Sequence, residues 1–93
     1  MKTADRILLC IFNYRQEHDY SPAVREICGI VGLSSSSTVH KYINRLREQK
    51  LIKYIDGKPR TTTVTVKGHK LVHELLNQQV EEQDKSVSIQ DHD

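Results

Sequence analysis

Long apolar runs are missing from this chain. None of its 93 residues belong to an unbroken stretch of the ~18 needed to cross a bilayer, so no membrane partner is expected. The opening Met1-Lys2-Thr3-Ala4-Asp5-Arg6 has no apolar centre and no cleavage site, so it does not read as a secretory leader. The expected compartment is the cytoplasm. Apolar residues make up only 37%, enough for one modest core but not two, and part of the chain is expected to lie outside it. Cysteine is scarce. Cys10 and Cys28 fall at apolar positions of two different expected helices and read as reduced, buried thiols. No Cys-x-x-Cys and no Cys/His spacing suggests zinc, and neither a metal nor a cofactor is expected.

Acidic residues are absent where basic ones concentrate. The net charge of +2 hides this. Residues 1–80 carry 13 Lys/Arg and 7 Asp/Glu, whereas residues 81–93 carry one Lys and five acids. Lys41 to Lys70 alone holds nine basic and two acidic side chains. A plain solvated surface can be this basic. A polyanion partner is favoured because the block overlaps a segment whose own pattern is informative.

That segment starts at Ser21. Two helices are expected there, after a first helix that begins at Thr3 or Asp5. Ile7, Leu8, Ile11 and Phe12 recur in the first at helical spacing, and it should fray near Glu17 to Asp19. Ser21 can cap the second helix and Pro22 suits its first turn. Val24, Ile27, Cys28 and Val31 form its buried face, and Gly32 ends it. Leu33 plugs the turn, and Ser34 or Ser35 caps the third helix. Val39, Ile43 and Leu46 face the core. Ser37, Lys41 and Asn44 then lie on the opposite face, flanked by Thr38, His40 and Arg45, with no acid before Glu48. A helix-turn-helix has this plan, and its second helix can enter the major groove.

Leu51 to Ile55 reads as a strand, Asp56-Gly57-Lys58-Pro59-Arg60 as a turn, and Thr61 to Val66 as the returning strand. Helix-turn-helix plus hairpin makes a winged helix-turn-helix, mainly α with a small β-hairpin. Thr65 can cap a final helix from Val66 or Lys67 to about Val80, although Gly68 in its first turn blurs the start. The expected organisation is a DNA-binding domain over 1–66, a C-terminal helix over 67–80 and an acidic, disordered tail over 81–93.

Pro-Ala-Val-Arg-Glu-Ile at 22–27, Gly-Leu-Ser-Ser-Ser-Ser-Thr-Val-His at 32–40, Arg-Leu-Arg-Glu-Gln-Lys-Leu-Ile at 45–52 and Lys-Pro-Arg at 58–60 resemble the DNA-binding domain of the LexA family of bacterial SOS repressors. The resemblance covers roughly residues 5–66. It implies a winged helix that binds palindromic operators as a dimer. Carried over by position, it implies base contacts at Ser35, Ser37, Thr38, His40 and Lys41, and phosphate contacts from the wing at Lys58 and Arg60. Family members continue into a self-cleaving, dimerising protease domain, for which this sequence has no room, so neither self-cleavage nor the family's usual dimer contacts are expected. Thr-Val-Lys-Gly-His-Lys-Leu at 65–71 looks more like other winged-helix regulators. Lys41 and Lys50 also depart from the family, which often has a small or acidic residue and a glycine there.

The expected function is a sequence-specific DNA-binding regulator, a repressor, acting on double-stranded DNA as a nucleoid-associated homodimer. Leu71, Val72, Leu75, Leu76 and Val80 form the one apolar stripe not assigned to the winged-helix core, and dimerisation is expected there. The same helix could instead fold back on Leu9 or Phe12. The alternative function is a protein-interaction module that modulates another regulator, an antirepressor or co-regulator of a LexA-like repressor. No enzyme is expected, since the serines at 34–37 have no partnered base. His69 and His73, four apart on one helix face, could meet a metal only across a dimer.

Overall fold

A computed structural model describes residues 1–77. Val80, expected in the apolar stripe, and the acidic segment 81–93 lie outside the described residues. The first helix, α1, spans Thr3–His18 and buries Ile7, Leu8 and Ile11 on one face. It stops where Asp19 adopts a left-handed φ of 64° and its amide bonds the Arg15 carbonyl at 2.9 Å.

Helix α2 spans Val24–Val31. Its cap differs from the expectation. Ala23, not Ser21, holds the N-cap position, and the Glu26 carboxylate reaches back to accept the Ala23 amide at 2.7 Å. This is the half of a capping box that a glutamate at the third helical position supplies. Ser21 lies two residues upstream and is buried. Pro22 disfavours helical geometry in the residue before it, so the helix starts after it. Gly32 closes α2 as expected. Its φ is 83°, and the amides of Gly32 and Leu33 both bond the Cys28 carbonyl at 2.9 Å.

Helix α3 spans Ser36–Glu48 and buries Val39 and Leu46, with Ile43 half-buried beside them. Ser35 occupies its N-cap position, but the hydroxyl makes no cap hydrogen bond. After α3 the chain reverses through Lys50, a non-glycine residue at φ 63°. That conformation costs an L-residue about 1–2 kcal/mol.

The hairpin is shorter than the sequence suggests. Strand β1 is Ile52–Lys53 and β2 is Thr63–Val64, antiparallel, with Ile52 opposite Val64 and Lys53 opposite Thr63. Beyond Lys53 a side chain replaces the ladder. The Thr61 hydroxyl accepts the Ile55 amide at 2.9 Å and donates to the Lys58 carbonyl at 3.0 Å. The return strand ends early because Val66 already belongs to the fourth helix, α4, described over 66–77.

Thr65 caps α4 as expected. Its hydroxyl accepts the Gly68 amide at 3.0 Å and donates to the Lys50 carbonyl at 2.6 Å, joining the helix start to the turn after α3. Gly68 is buried there. A Cβ at this position would overlap the Leu51 carbonyl and lie 2.7 Å from a Val64 methyl. The residue that blurred the helix start is what lets α4 approach the hairpin.

The described part of the stripe on α4 packs into the chain's own core. Val72 and Leu75 are buried in the same cluster as Ile7, Leu8, Ile27 and Leu46, and Leu71 and Leu76 pack half-buried against it. Phe12 of α1 meets His69 of α4 edge-on at 5.5 Å between centroids. The physical reason is the core's need for cover. Burying a Leu or Val side chain contributes about 1.5–3 kcal/mol, and in so small a domain that gain is available within one chain. Val72 and Leu75, with Leu71 and Leu76 beside them, thus pack into the cluster formed by residues of 1–66.

Candidate nucleic-acid interface

Helix α3 is held by its buried side, so its outer side is fixed in space. Ser35, Ser37, His40, Lys41, Asn44 and Arg45 are all exposed on or just before it, and Thr38 is half-buried at the edge. No acidic residue occurs in the first turn of α3. The positive end of the helix dipole is therefore not offset by a carboxylate of its own first turn, which favours an anion nearby. Arg45 stacks over the half-buried Tyr42 ring at 5.5 Å, a contact that steadies the guanidinium while leaving it exposed.

The first part of this face borders an open cleft of about 800 Å³ between α2 and α3. Arg25, Ser34, Ser36, His40 and Arg60 line it, with Glu26 as the only acid among its lining residues. Lys58 is exposed at the tip of the wing, beside Gly57 at φ 77°. The expected α3 residues thus share one surface. Lys58 stands on the wing apart from them, and Arg60 lies between.

Arg60 is already engaged. Its Nη1 lies 3.0 Å from the Glu26 carboxylate and donates to the Ser21 carbonyl at 3.3 Å. Its guanidinium sits 5.0 Å over the Tyr20 ring, and its backbone has a left-handed φ of 60°. Glu26 also accepts the Tyr14 hydroxyl at 2.8 Å. The Ala23 amide, the Tyr14 hydroxyl and the Arg60 charge together hold the Glu26 carboxyl below its usual range. The same hydrogen bond to Glu26 raises the Tyr14 phenol.

A second arginine works on the other arm of the hairpin. Arg47, at the end of α3, donates to the Tyr54 hydroxyl at 2.9 Å, pairs with Asp56 at 3.2 Å and stacks 4.2 Å over the Tyr54 ring. Arg15 of α1 adds a bond to the Thr62 carbonyl at 3.2 Å. Tyr14, Tyr20, Glu26, Arg47 and Tyr54 were not singled out by sequence. The Glu26 cap was legible as a glutamate three residues after Ala23; the other pairings join segments whose spacing carries no local signal.

Other chemistry is sparse. Cys10 is buried, and desolvation, aided by the Glu26 charge, pushes its thiol up to about 11, so it stays protonated. Cys28 is half-buried at the cleft. Among the described residues no group of three or more His, Cys, Asp or Glu could hold a metal ion, and no helix is long and apolar enough to cross a membrane.

The family model of the LexA DNA binding domain matches residues 2–61. The LexA repressor of Ligilactobacillus salivarius is 45% identical over 71 residues, covering 76% of this chain and 34% of that protein. The LexA repressor of Limosilactobacillus fermentum is 48% identical over 62 residues, 67% of this chain and 30% of its own. That of Acetivibrio thermocellus is 49% identical over 49 residues, 53% and 23%. The chain spans about a third of the length of the first of these relatives.

Proposed function

Because the chain belongs to the LexA DNA-binding domain family, we propose that it is a sequence-specific transcriptional repressor that reads operator DNA with α3 and its wing. The observation that carries this reading is the exposed α3 face from Ser35 to Arg45, free of acids and fixed by Val39 and Leu46 on its buried side. Ser35, Ser37, Thr38, His40, Lys41 and Asn44 are assigned to base edges and nearby phosphates, and Arg45 and Lys58 to phosphates. Lys41 suits guanine O6 and N7. Arg60, already paired with Glu26, is left out of the direct contacts.

Two copies on a palindromic operator fit the need for specificity, since one half-site seldom provides enough. Occupancy of a promoter is sufficient for repression and calls for no catalytic residue in this domain. Chromosomal DNA as the partner implies the cytoplasm, at the nucleoid.

The test is binding to duplex DNA as a function of salt. With Lys41 assigned to a base edge, Arg25, Arg45 and Lys58 are the cations of this face left for phosphates whose charge is not offset by an ion pair given above. Three phosphate contacts per copy give a slope of about −2.7 in log affinity against log salt, or roughly a fortyfold loss between about 50 and 200 mM. No binding at low salt, or binding indifferent to salt, would remove DNA as the partner and leave a protein-interaction surface as the reading.

A further inference from the structure

Two arms of one wing are tied to two different helices. On the β1 side, Arg47 of α3 holds Tyr54 and Asp56. On the β2 side, Arg60 reaches back to α2, where it meets Glu26, the Ser21 carbonyl and the Tyr20 ring at once. Only two residue pairs form the ladder, so the hairpin has little rigidity of its own. The direction in which its tip points is therefore set by these side-chain ties.

The geometry assigns Arg60 and Glu26 to positioning the wing: their ion pair across α2 aims the wing tip, and with it Lys58, at the DNA backbone, and Arg60 itself neutralises no phosphate. This rests on the reading of α3 and the wing as a DNA-binding surface.

Several observations favour positioning over contact. A guanidinium 3.0 Å from a carboxylate has its charge offset locally. A phosphate drawn to it would also face Glu26 across the same cleft and be repelled. Glu26 is itself fixed from two further directions, by the Ala23 amide and the Tyr14 hydroxyl, so it is a rigid anchor. Tyr14 in turn meets Tyr20 edge-on at 5.9 Å, and Tyr20 lies under Arg60. The anchor thus connects α1, the loop before α2, α2 and the wing. Arg60 adopts a left-handed backbone to reach it, a conformation that surrounding contacts must sustain.

The experiment is a salt series of DNA binding on the whole chain, with Lys58→Ala, Arg60→Ala, Glu26→Gln and the double variant Lys58→Ala/Arg60→Ala. Circular dichroism confirms that each is folded. Glutamine at 26 still accepts the Ala23 amide, so Glu26→Gln carries the test if Arg60→Ala fails to fold, with Lys58→Ala/Glu26→Gln as its double. Wild-type binding that is absent, or insensitive to salt, refutes the DNA reading and the positioning role with it.

Given binding, a positioning role predicts that all three single variants lower the salt slope by about 0.9, one phosphate, and affinity by about eightfold near 0.1 M salt. The double variant is then no worse than either single one. A slope lowered by about 1.8 in the double variant means that Arg60 touches a phosphate of its own and overturns the assignment. Tighter binding by Glu26→Gln overturns it too, because Glu26 would then be a competitor for Arg60. An unchanged slope in Arg60→Ala or Glu26→Gln reduces the pair to a stabilising contact. An unchanged slope in Lys58→Ala leaves no wing contact to position.

Discussion

Gly68 shows how a single atom decides the sign of a substitution. In an exposed helix, Gly→Ala gains about 1 kcal/mol from helix propensity. Here the added Cβ would overlap the Leu51 carbonyl, which is backbone and cannot swing away. Overpacking of this kind costs about 1–3 kcal/mol, so the steric effect outweighs the propensity. Gly68→Ala is expected to lower the urea midpoint with little change in m-value; a midpoint that rises would mean that α4 seats less closely against the hairpin than described. Lys50 is the converse case. It adopts a left-handed φ of 63° at a position where the family resemblance implied a glycine. Gly68 was not legible in the same way. A glycine in a first helical turn looks like weakness until the carbonyl above it is known.

The helices were readable because their signals are local. Apolar spacing, Gly32 as a stop and Thr65 as a cap each act within a turn of the residue concerned, and each is present. The cap of α2 was misread because Ser21 and Glu26 offer competing caps and Pro22 separates them. The wing was readable as a hairpin from Asp56-Gly57, but its ties were not. Arg60 meets Ser21 and Glu26, and Arg15 meets Thr62, across 34 residues or more of sequence. The contacts proposed for α3 rest on one helical face and one family resemblance, whereas the role proposed for Arg60 rests on its surroundings. The tie to Glu26 also predicts a pH dependence. The folded-state pKa of Glu26 is lowered, so its stabilising effect is full above the ordinary carboxylate value of about 4.3 and is lost as pH falls through the lower folded value. The stability difference between wild type and Glu26→Gln should be constant from about pH 7 to about pH 5, then shrink in acid. Urea midpoints across this range check it; a gap that widens in acid would mean that the carboxyl is destabilised in the fold.

Whether the free protein is one chain or two turns on α4. The expectation of a dimer stripe came from counting apolar residues without a place in a winged-helix core. Val72 and Leu75 fill the core of their own chain. Among the described residues of the stripe, Leu71 and Leu76 remain, each half-buried and packed against that core. Two half-buried leucines offer far less than the roughly 800 Å² per partner of a standard stable interface. The free described domain is therefore expected to be monomeric at tens of micromolar. A palindromic operator then supplies the second copy, by placing two half-sites side by side on one duplex. Light scattering checks both halves, with the mass of one chain in free solution and two chains per palindromic duplex. Leu75→Ala sharpens the test. It should cost about 2–5 kcal/mol of folding stability and leave the free mass unchanged, because the side chain is a core residue. A free dimer that Leu75→Ala disperses while the melting temperature holds would return the stripe to an interface. The core placement of α4 would then be the reading to abandon.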